Sequence, residues 1–492
     1  MFKIIIIKFY LPIIYNMSNE LRNFLMPRNL NYPVSQRIET DILYPVSFSQ
    51  KSTKFVFDKK GILDANSQLQ IKLLVPEQAG PVASQAFLPL NTGISAVVSR
   101  AWLEIGGRRV STLESVGDFN TFLNTSYNSD YKEQILKAKE GYLGNVGPAD
   151  KIGAGETGRI GNKPLENATT DGNYKLTATS TSPTWSLSLS RLIPMLKDFQ
   201  LPLFAIDQEV SLVVEWNTGQ LNNRYCLANG EAEVQSTIDQ ESCVIMADYL
   251  FYPMEMDDIA MKIGSGSGYS HIYDEVITIE STENATGTDP GAGLHLPATF
   301  SHNLALAGKT LKGVVAQAFK VPNSLCGVYV SNDDQIEDTY NFTIDSRPLY
   351  ANDIKNSSSK YKEVSSILER PLNVNCWEYC FINQVSPVVG NGGGLFTVAE
   401  SGFTDFTYEG TTQQERTACA NWTGMSLSSD SLGISGRKMS NLPIIMRRNR
   451  QIMNANAYPS ATADFNTNVL MRFFCITSRV LVMKDGQTTI VQ

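Results

Sequence analysis

Short runs in which apolar and polar residues alternate with period two dominate the chain, bounded by Gly, Pro, Asn, Asp and Ser. In "KFVFD", Phe55 and Phe57 share a face; in "LQIKLLV", Leu69, Ile71 and Leu73 lie opposite Gln70 and Lys72. "TWSLSLS" sets Trp185, Leu187 and Leu189 against Ser186, Ser188 and Ser190. "VSLVVEW" sets Val210, Leu212, Val214 and Trp216 against Ser211, Val213 and Glu215. Successive side chains of a strand point to opposite faces, so each run predicts a strand with one buried face, as antiparallel sheets have. Many such strands with long turn-rich connections predict all-β sandwiches or jelly rolls. The run "LIPMLKDFQLPLF" before "VSLVVEW" is different: irregular, apolar and Pro-punctuated, it predicts a loop whose side chains need neighbours.

Helical spacing is rare. After "AWLEIGGRRV", a strand entering a Gly-Gly turn, Ser111 and Glu114 of "STLE" have the spacing of a capping box. Leu113, Val116, Phe119 and Phe122 then recur as on one helix face. A weaker copy of strand, turn, Arg and helix-compatible segment follows in "YNFTIDSRPLYANDIKNSSSKYKEVSSILER", where Ile344-x-x-Arg347 matches Ile105-x-x-Arg108. "CVIMADYLFY" around Asp248 and "FCITSRVLVM" around Arg479 match at nearly the same offset, which predicts an internal duplication. The expected division is an N-terminal arm over 1–40, a first unit over 41–256, a linker over 257–268 containing "GSGSG", and a second unit over 269–492. Surplus length is expected in loops at Asn128 to Tyr174 and Val388 to Asn441.

At 492 residues the chain exceeds the reach of one core, and 42% hydrophobic with 18% charged residues is globular composition. A net charge of −8 argues against a nucleic-acid wrapper. The local exception, "MRRNR" with Arg447, Arg448 and Arg450, reads as an exposed solvated loop, with a polyanion contact as the lesser reading. Seven scattered cysteines fit reduced, buried thiols better than a disulfide framework, and the pair Cys376 and Cys380 has no partners for zinc. "MFKIIIIKFYLPIIYN" is interrupted by Lys8 and lacks a small-residue cleavage site. Residues 1–16 therefore read as an over-long start before Met17, with a short membrane-active segment as the lesser reading.

Catalytic patterns are missing. "GAGETG", Gly153 to Gly158, follows no apolar strand and reads as loop. "AGKT", ending in Gly308, Lys309 and Thr310, lacks the first glycine of a phosphate loop. The three histidines, His271, His295 and His302, have no metal-ligand spacing, and no nucleophile elbow occurs. No residue is therefore singled out as catalytic, cofactor-binding or metal-ligating, and no cofactor is expected. The profile is that of a structural protein. A lectin-like or fibre-like attachment module is the alternative, with Trp422 and Tyr408 as loop aromatics, and an enzyme is the third class.

Four segments carry a resemblance. "IPMLKDFQLPLFAIDQEVSLVVEW", "VIMADYLFYPMEMDDIAM", "VLMRFFCITSRVLVMKDGQTTI" and "LEIGGRRV" with its helix resemble, in correct order, segments of double jelly-roll major capsid proteins. That family spans nucleocytoplasmic large DNA viruses, virophages and Polinton-like viruses; the modest length looks more like the last two. The resemblance implies two consecutive eight-stranded antiparallel jelly rolls with short helices in loops. It also implies homotrimers forming pseudo-hexameric capsomers that tile an icosahedral shell, with virion location, capsomer–capsomer contacts, and penton or vertex and minor capsid proteins as partners. Direct nucleic-acid binding is not expected, and an inner membrane is left open. Pro194, Leu201, Pro202 and Phe204 are expected to pack in the capsomer base or at a subunit contact, with ordinary core under the same roll as the equal alternative.

Overall fold

The computed structural model describes residues 37–74, 86–87, 93–124, 137–140, 175–176, 184–197, 200–217, 226–227, 237–266, 268–284, 298–320, 336–355, 357–368, 385–387, 395–398, 406–409, 414–416, 423–427, 436–439, 443–452 and 469–491. In the first half, two sheets are built on eight principal strands, with short two-residue strands added at Ser47–Phe48, Ile62–Leu63 and Thr237–Ile238: β1 (Arg37–Leu43), β2 (Ser52–Val56), β3 (Gln68–Leu74), β4 (Val98–Ile105), β5 (Arg108–Glu114), β6 (Thr184–Ser188), β7 (Val210–Trp216) and β8 (Val244–Phe251). Their orders are β1-β8-β3-β6 and β2-β7-β4-β5, all neighbours antiparallel. The alternating runs fill the space between the sheets: Phe55, Leu69, Ile71, Leu73, Leu187, Leu212 and Val214 are buried in one core. Trp216 is also buried, its indole N–H donating to Thr53 Oγ1 at 2.8 Å, which satisfies the one polar atom the ring carries inside.

The second half repeats the plan. β9 (Tyr269–Glu283), β10 (Ala298–Leu304), β11 (Thr310–Lys320), β12 (Ile336–Ile344), β13 (Arg347–Pro348), β14 (Thr423–Ser426), β15 (Ile444–Ile452) and β16 (Val469–Lys484) pair as β9-β16-β11-β14 and β10-β15-β12-β13. Numbered within each half, both orders are 1-8-3-6 and 2-7-4-5, the winding of a jelly roll. β17 (Gln487–Val491) turns back on β16 as an addition. The two loose sequence matches thus mark a topological duplication. The helix Pro253–Gly264 crosses from one roll to the other, so the expected linker begins inside a helix, whose last residue is the first glycine of "GSGSG". The first strand begins at Arg37, inside the segment expected to be an arm; residues 1–36, including the expected over-long start, lie outside the described residues.

The hairpin β4–β5 corrects one expectation. Ser111 to Glu114 are not a capping box but the end of strand β5, paired to β4 through Leu103↔Ser111 and Arg100↔Glu114. Gly106 and Gly107 take φ of 58° and 75°, the two positive values of the turn whose twist suits a two-residue hairpin. That turn sends the β-branched Val110 and Thr112 back along β4 before any helix starts. Helix α1 (Val116–Asn124) begins only after Ser115, itself at φ 54°. The second roll makes the same hairpin with Asp345 and Ser346, at φ 52° and 63°. There the segment read as helix-compatible is helix α2 (Ser357–Leu368). α2 rests Ile367 and Val364 on Gly424, where an added Cβ would sit 2.6 Å from the Val314 carbonyl of β11 and 3.1 Å from Ile367, so glycine is needed for the strand pairing and eases the helix contact.

Candidate assembly surfaces

The two rolls meet edge to face. β5, the last strand of the first roll's second sheet, lies beside β9, the first strand of the second roll. The Tyr273 hydroxyl donates to the Val110 carbonyl at 2.8 Å, and Thr278 Oγ1 donates to the Glu114 carbonyl at 3.4 Å. Beside this seam, the outward face of the β9–β16–β11 sheet presents Val276, Phe474 and Val315, which join the core of the first roll. Phe119 of α1 packs on Phe474 with ring centroids 5.3 Å apart. Burying side chains of this size contributes roughly 1.5–3 kcal/mol each.

Arg472 projects from β16 on the same face and is buried, yet its guanidinium is paired with Asp118 of α1 and, at 2.7 Å, with Glu280 of β9. Burial disfavours its charge, but the two carboxylates outweigh that and hold its pKa above the ordinary value. At the other end of the seam, Asp207 N–H donates to the Gly486 carbonyl at 3.0 Å and Thr488 Oγ1 to Gln208 Oε1 at 2.9 Å. β17 thus fastens the second roll to the loop that precedes β7.

The same faces on the outer sides of the pair are open. On β1, Leu43 packs against the core while the alternate residues Ile38 and Ile42 are 58% and 55% exposed, followed by Tyr44 at 67% and Val46 at 70%. Glu39 and Asp41 on its other face pair with Lys60. On β13, Arg347 and Pro348 are exposed. Counting from the two hairpins, Leu349 stands where Val110 stands in the first roll; Val110 is buried, Leu349 only half-buried.

Of the four candidate packing residues, Pro194, Leu201 and Pro202 are buried within the single chain. The Leu63 N–H donates to the Leu201 carbonyl at 2.8 Å, which ties the irregular segment to the first roll. Phe204 is half-buried beside Ile62, Leu250, Tyr252 and Met256, next to the exposed end of β1. Pro194 stands apart from the other three, in the short turn Pro194–Lys197 that packs on β5 and on β9 of the second roll, and the periodicity of the sequence held no signal for the open β1 face.

The chemistry sought in the sequence has structural explanations where the structure describes it. Among the described residues no group of His, Cys, Asp or Glu is placed to hold a metal ion, and no helix is long and apolar enough to cross a membrane. His302 is buried with its Nε2 3.0 Å from Glu283 and its Nδ1 2.9 Å from Ser281 Oγ. "MRRNR" is corrected: it belongs to strand β15, whose alternation turns Ile444, Met446 and Arg448 inward. The charge of Arg448 is tolerated there because Glu283 accepts from it at 2.9 Å, while Arg447 on the other face pairs with Asp353 at 3.3 Å. Lys309 and Gly308 form a tight turn before β11, with Gly308 at φ 74°. Cys243 and Cys475 are free and buried, and desolvation pushes the Cys243 thiol up to about 12. His295, Cys376, Cys380, Trp422 and "GAGETG" lie outside the described residues, as do most of the two expected surplus loops; Tyr408 falls in a short strand, Phe406–Glu409.

No family model and no curated protein sequence matches the chain. Solved structures do. The chain aligns over 95% of its length with 91% of a chain from the Sputnik virophage structure, at a TM-score of 0.55 and 10% identity. It aligns with 99% of a chain from the PBCV-1 virus capsid at 0.54 and 11%, and with 94% of the mavirus major capsid protein at 0.52 and 12%. The fold is the double jelly roll of viral major capsid proteins. Near-complete coverage of both partners means that the two rolls, their order and their side-by-side placement are shared, while so low an identity leaves the surfaces to be read from this chain alone.

Proposed function

We propose that this chain is a major capsid protein that homotrimerises into pseudo-hexameric capsomers tiling the icosahedral shell of a DNA virus, in the virion. One observation carries the reading: a double jelly roll in which one roll-to-roll contact is made inside the chain and the matching faces at its two ends stay open. Such an object joins other copies head to tail, and a head-to-tail contact closes into a ring or runs on as a filament. Three chains supply six nearly equivalent rolls, which suits a hexagonal tile. The function is geometric and needs no catalytic group. Capsomer neighbours, penton or vertex proteins and minor capsid proteins are the partners this reading implies. Size-exclusion chromatography with light scattering on the full chain tests it. A salt-resistant trimer with hexagonal outlines in negative stain is the expected result; a well-folded monomer at micromolar concentration overturns it.

A further inference from the structure

We propose that the outer face of the helix Pro253–Gly264, marked by Met254 and Met261, seats the segment Met17–Gln36 of the same chain. The inference goes beyond the capsid reading and holds for the chain in any association state.

The helix has two faces of different character. Ile263 is buried in the first core with Ile259 packed on it, and Met256 packs on the cluster of Ile62, Leu250 and Tyr252. On the far side Met254, Asp257 and Met261 recur at i, i+3 and i+7, one stripe of a helix. Met254 and Met261 are 56% and 64% exposed, and Glu255 and Asp257 are exposed with them. The helix carries Glu255, Asp257 and Asp258 against Lys262 alone, so its surface is both apolar and acidic. Methionine is flexible and polarizable and fits an irregular apolar partner. The chain supplies a partner of opposite charge at the right place. Arg37 pairs with Phe251, two residues before the helix begins, so the segment that precedes Arg37 enters the fold beside the helix N-terminus. That segment groups Leu21, Phe24, Leu25 and Met26, and carries Arg22 and Arg28 against Glu20. The stretch from Met26 to Arg37 can reach about 36 Å when extended, against roughly 18 Å for the whole helix. So short a tether sets an effective concentration on the order of millimolar, which a partner in solution rarely matches.

Methionine oxidation by hydrogen peroxide, read peptide by peptide by mass spectrometry, tests the assignment in the full chain. Wild type is compared with a variant carrying Leu21→Asp, Phe24→Asp and Leu25→Asp, all of which precede the first strand. Met254 and Met261 should oxidise several-fold more slowly in wild type than in this variant. The fully buried Met195 and Met425 should stay slow in both and report intact rolls. Glu255→Lys with Asp257→Lys, made beside the native segment, should also speed oxidation of Met254 and Met261. Equal rates in wild type and the segment variant overturn the inference: fast in both means a bare helix, and slow in both means another occupant. Protection that fades as wild-type trimer is diluted to monomer assigns the cover to a neighbouring copy and likewise overturns it. Protection in a chain that stays monomeric upholds this inference while the capsid reading falls.

Discussion

The outward faces of the two large sheets share a topology and differ in what covers them. On the second roll Val276, Phe474 and Val315 are sealed under the first roll, and even the charge on that face, Arg472, has a carboxylate brought to it by α1. On the first roll the same strands expose Ile38 and Ile42, while β3 and β6 contribute the polar Gln70, Lys72, Thr184 and Ser186. The difference shows that one architecture supports either a closed or an open face, and that the choice is written only in the outward-pointing alternate residues. Substituting the sealed face should be far more damaging. Val276→Lys buries an ammonium without a partner at the seam, and a loss of about 4 kcal/mol or more is expected in urea unfolding. An unchanged midpoint would show that the seam is looser than its burial indicates.

A smaller effect is expected from the charge that α1 supplies. Asp118→Ala takes from the buried Arg472 the carboxylate that α1 supplies and leaves it Glu280, whose side chain is half exposed. Removing one partner of a buried pair destabilises by about 3 kcal/mol, toward the low end of the usual range because Glu280 remains. If the variant loses much less, measured by the same unfolding midpoint, the pair is better solvated than the structure places it. Replacing Arg472 and Asp118 together with apolar residues should recover most of the loss.

The second roll also carries a pH dependence at Glu275 of β9, which pairs with Arg479 of β16. Burial pushes the Glu275 carboxyl above its usual 4.5, with Arg479 and Lys309 pulling it partly back. The folded state therefore binds this proton more readily than the unfolded state. The stabilising contribution of protonation is fully present below 4.5 and is lost as pH rises through the raised folded value. Melting temperatures of wild type and Glu275→Gln, compared across that interval, should converge at low pH and separate in slope above it. Parallel curves would mean that Glu275 is not held in the buried setting described.

Much of this architecture was legible because period-two alternation is a direct statement about which face is buried. Leu69, Ile71 and Leu73, or Val210, Leu212 and Val214, point inward as their spacing predicts. The helix start at Ser111 was misread because "STLE" satisfies two local rules at once; the Gly106–Gly107 hairpin, a nonlocal pairing with β4, decided between them. "MRRNR" was misread for the opposite reason: three arginines suggest solvent, and only the distant Glu283 makes an inward Arg448 tolerable. The open face was illegible. Ile38 and Ile42 alternate with Glu39 and Asp41 as any core-facing pair would, and by pattern alone they would be assigned to the interior. It is the packing of the half-buried Leu43 on the core, in the opposite phase, that turns them outward.

The smallest expected effect is therefore the most discriminating. Ile42→Lys is the counterpart of Val276→Lys, made on the bare face instead of the sealed one. Diluted until the chain is monomeric, this variant should unfold within about 0.5 kcal/mol of wild type, because an exposed substitution away from caps, cavities and pairs changes little. At assembling concentrations the comparison changes, since association stabilises only the folded chain that can associate. Wild type should then gain stability with concentration and Ile42→Lys should not. Equal gains would separate β1 from assembly. A large loss in the dilute monomer would mean that Ile42 is covered within its own chain, and the contrast between the two faces would vanish.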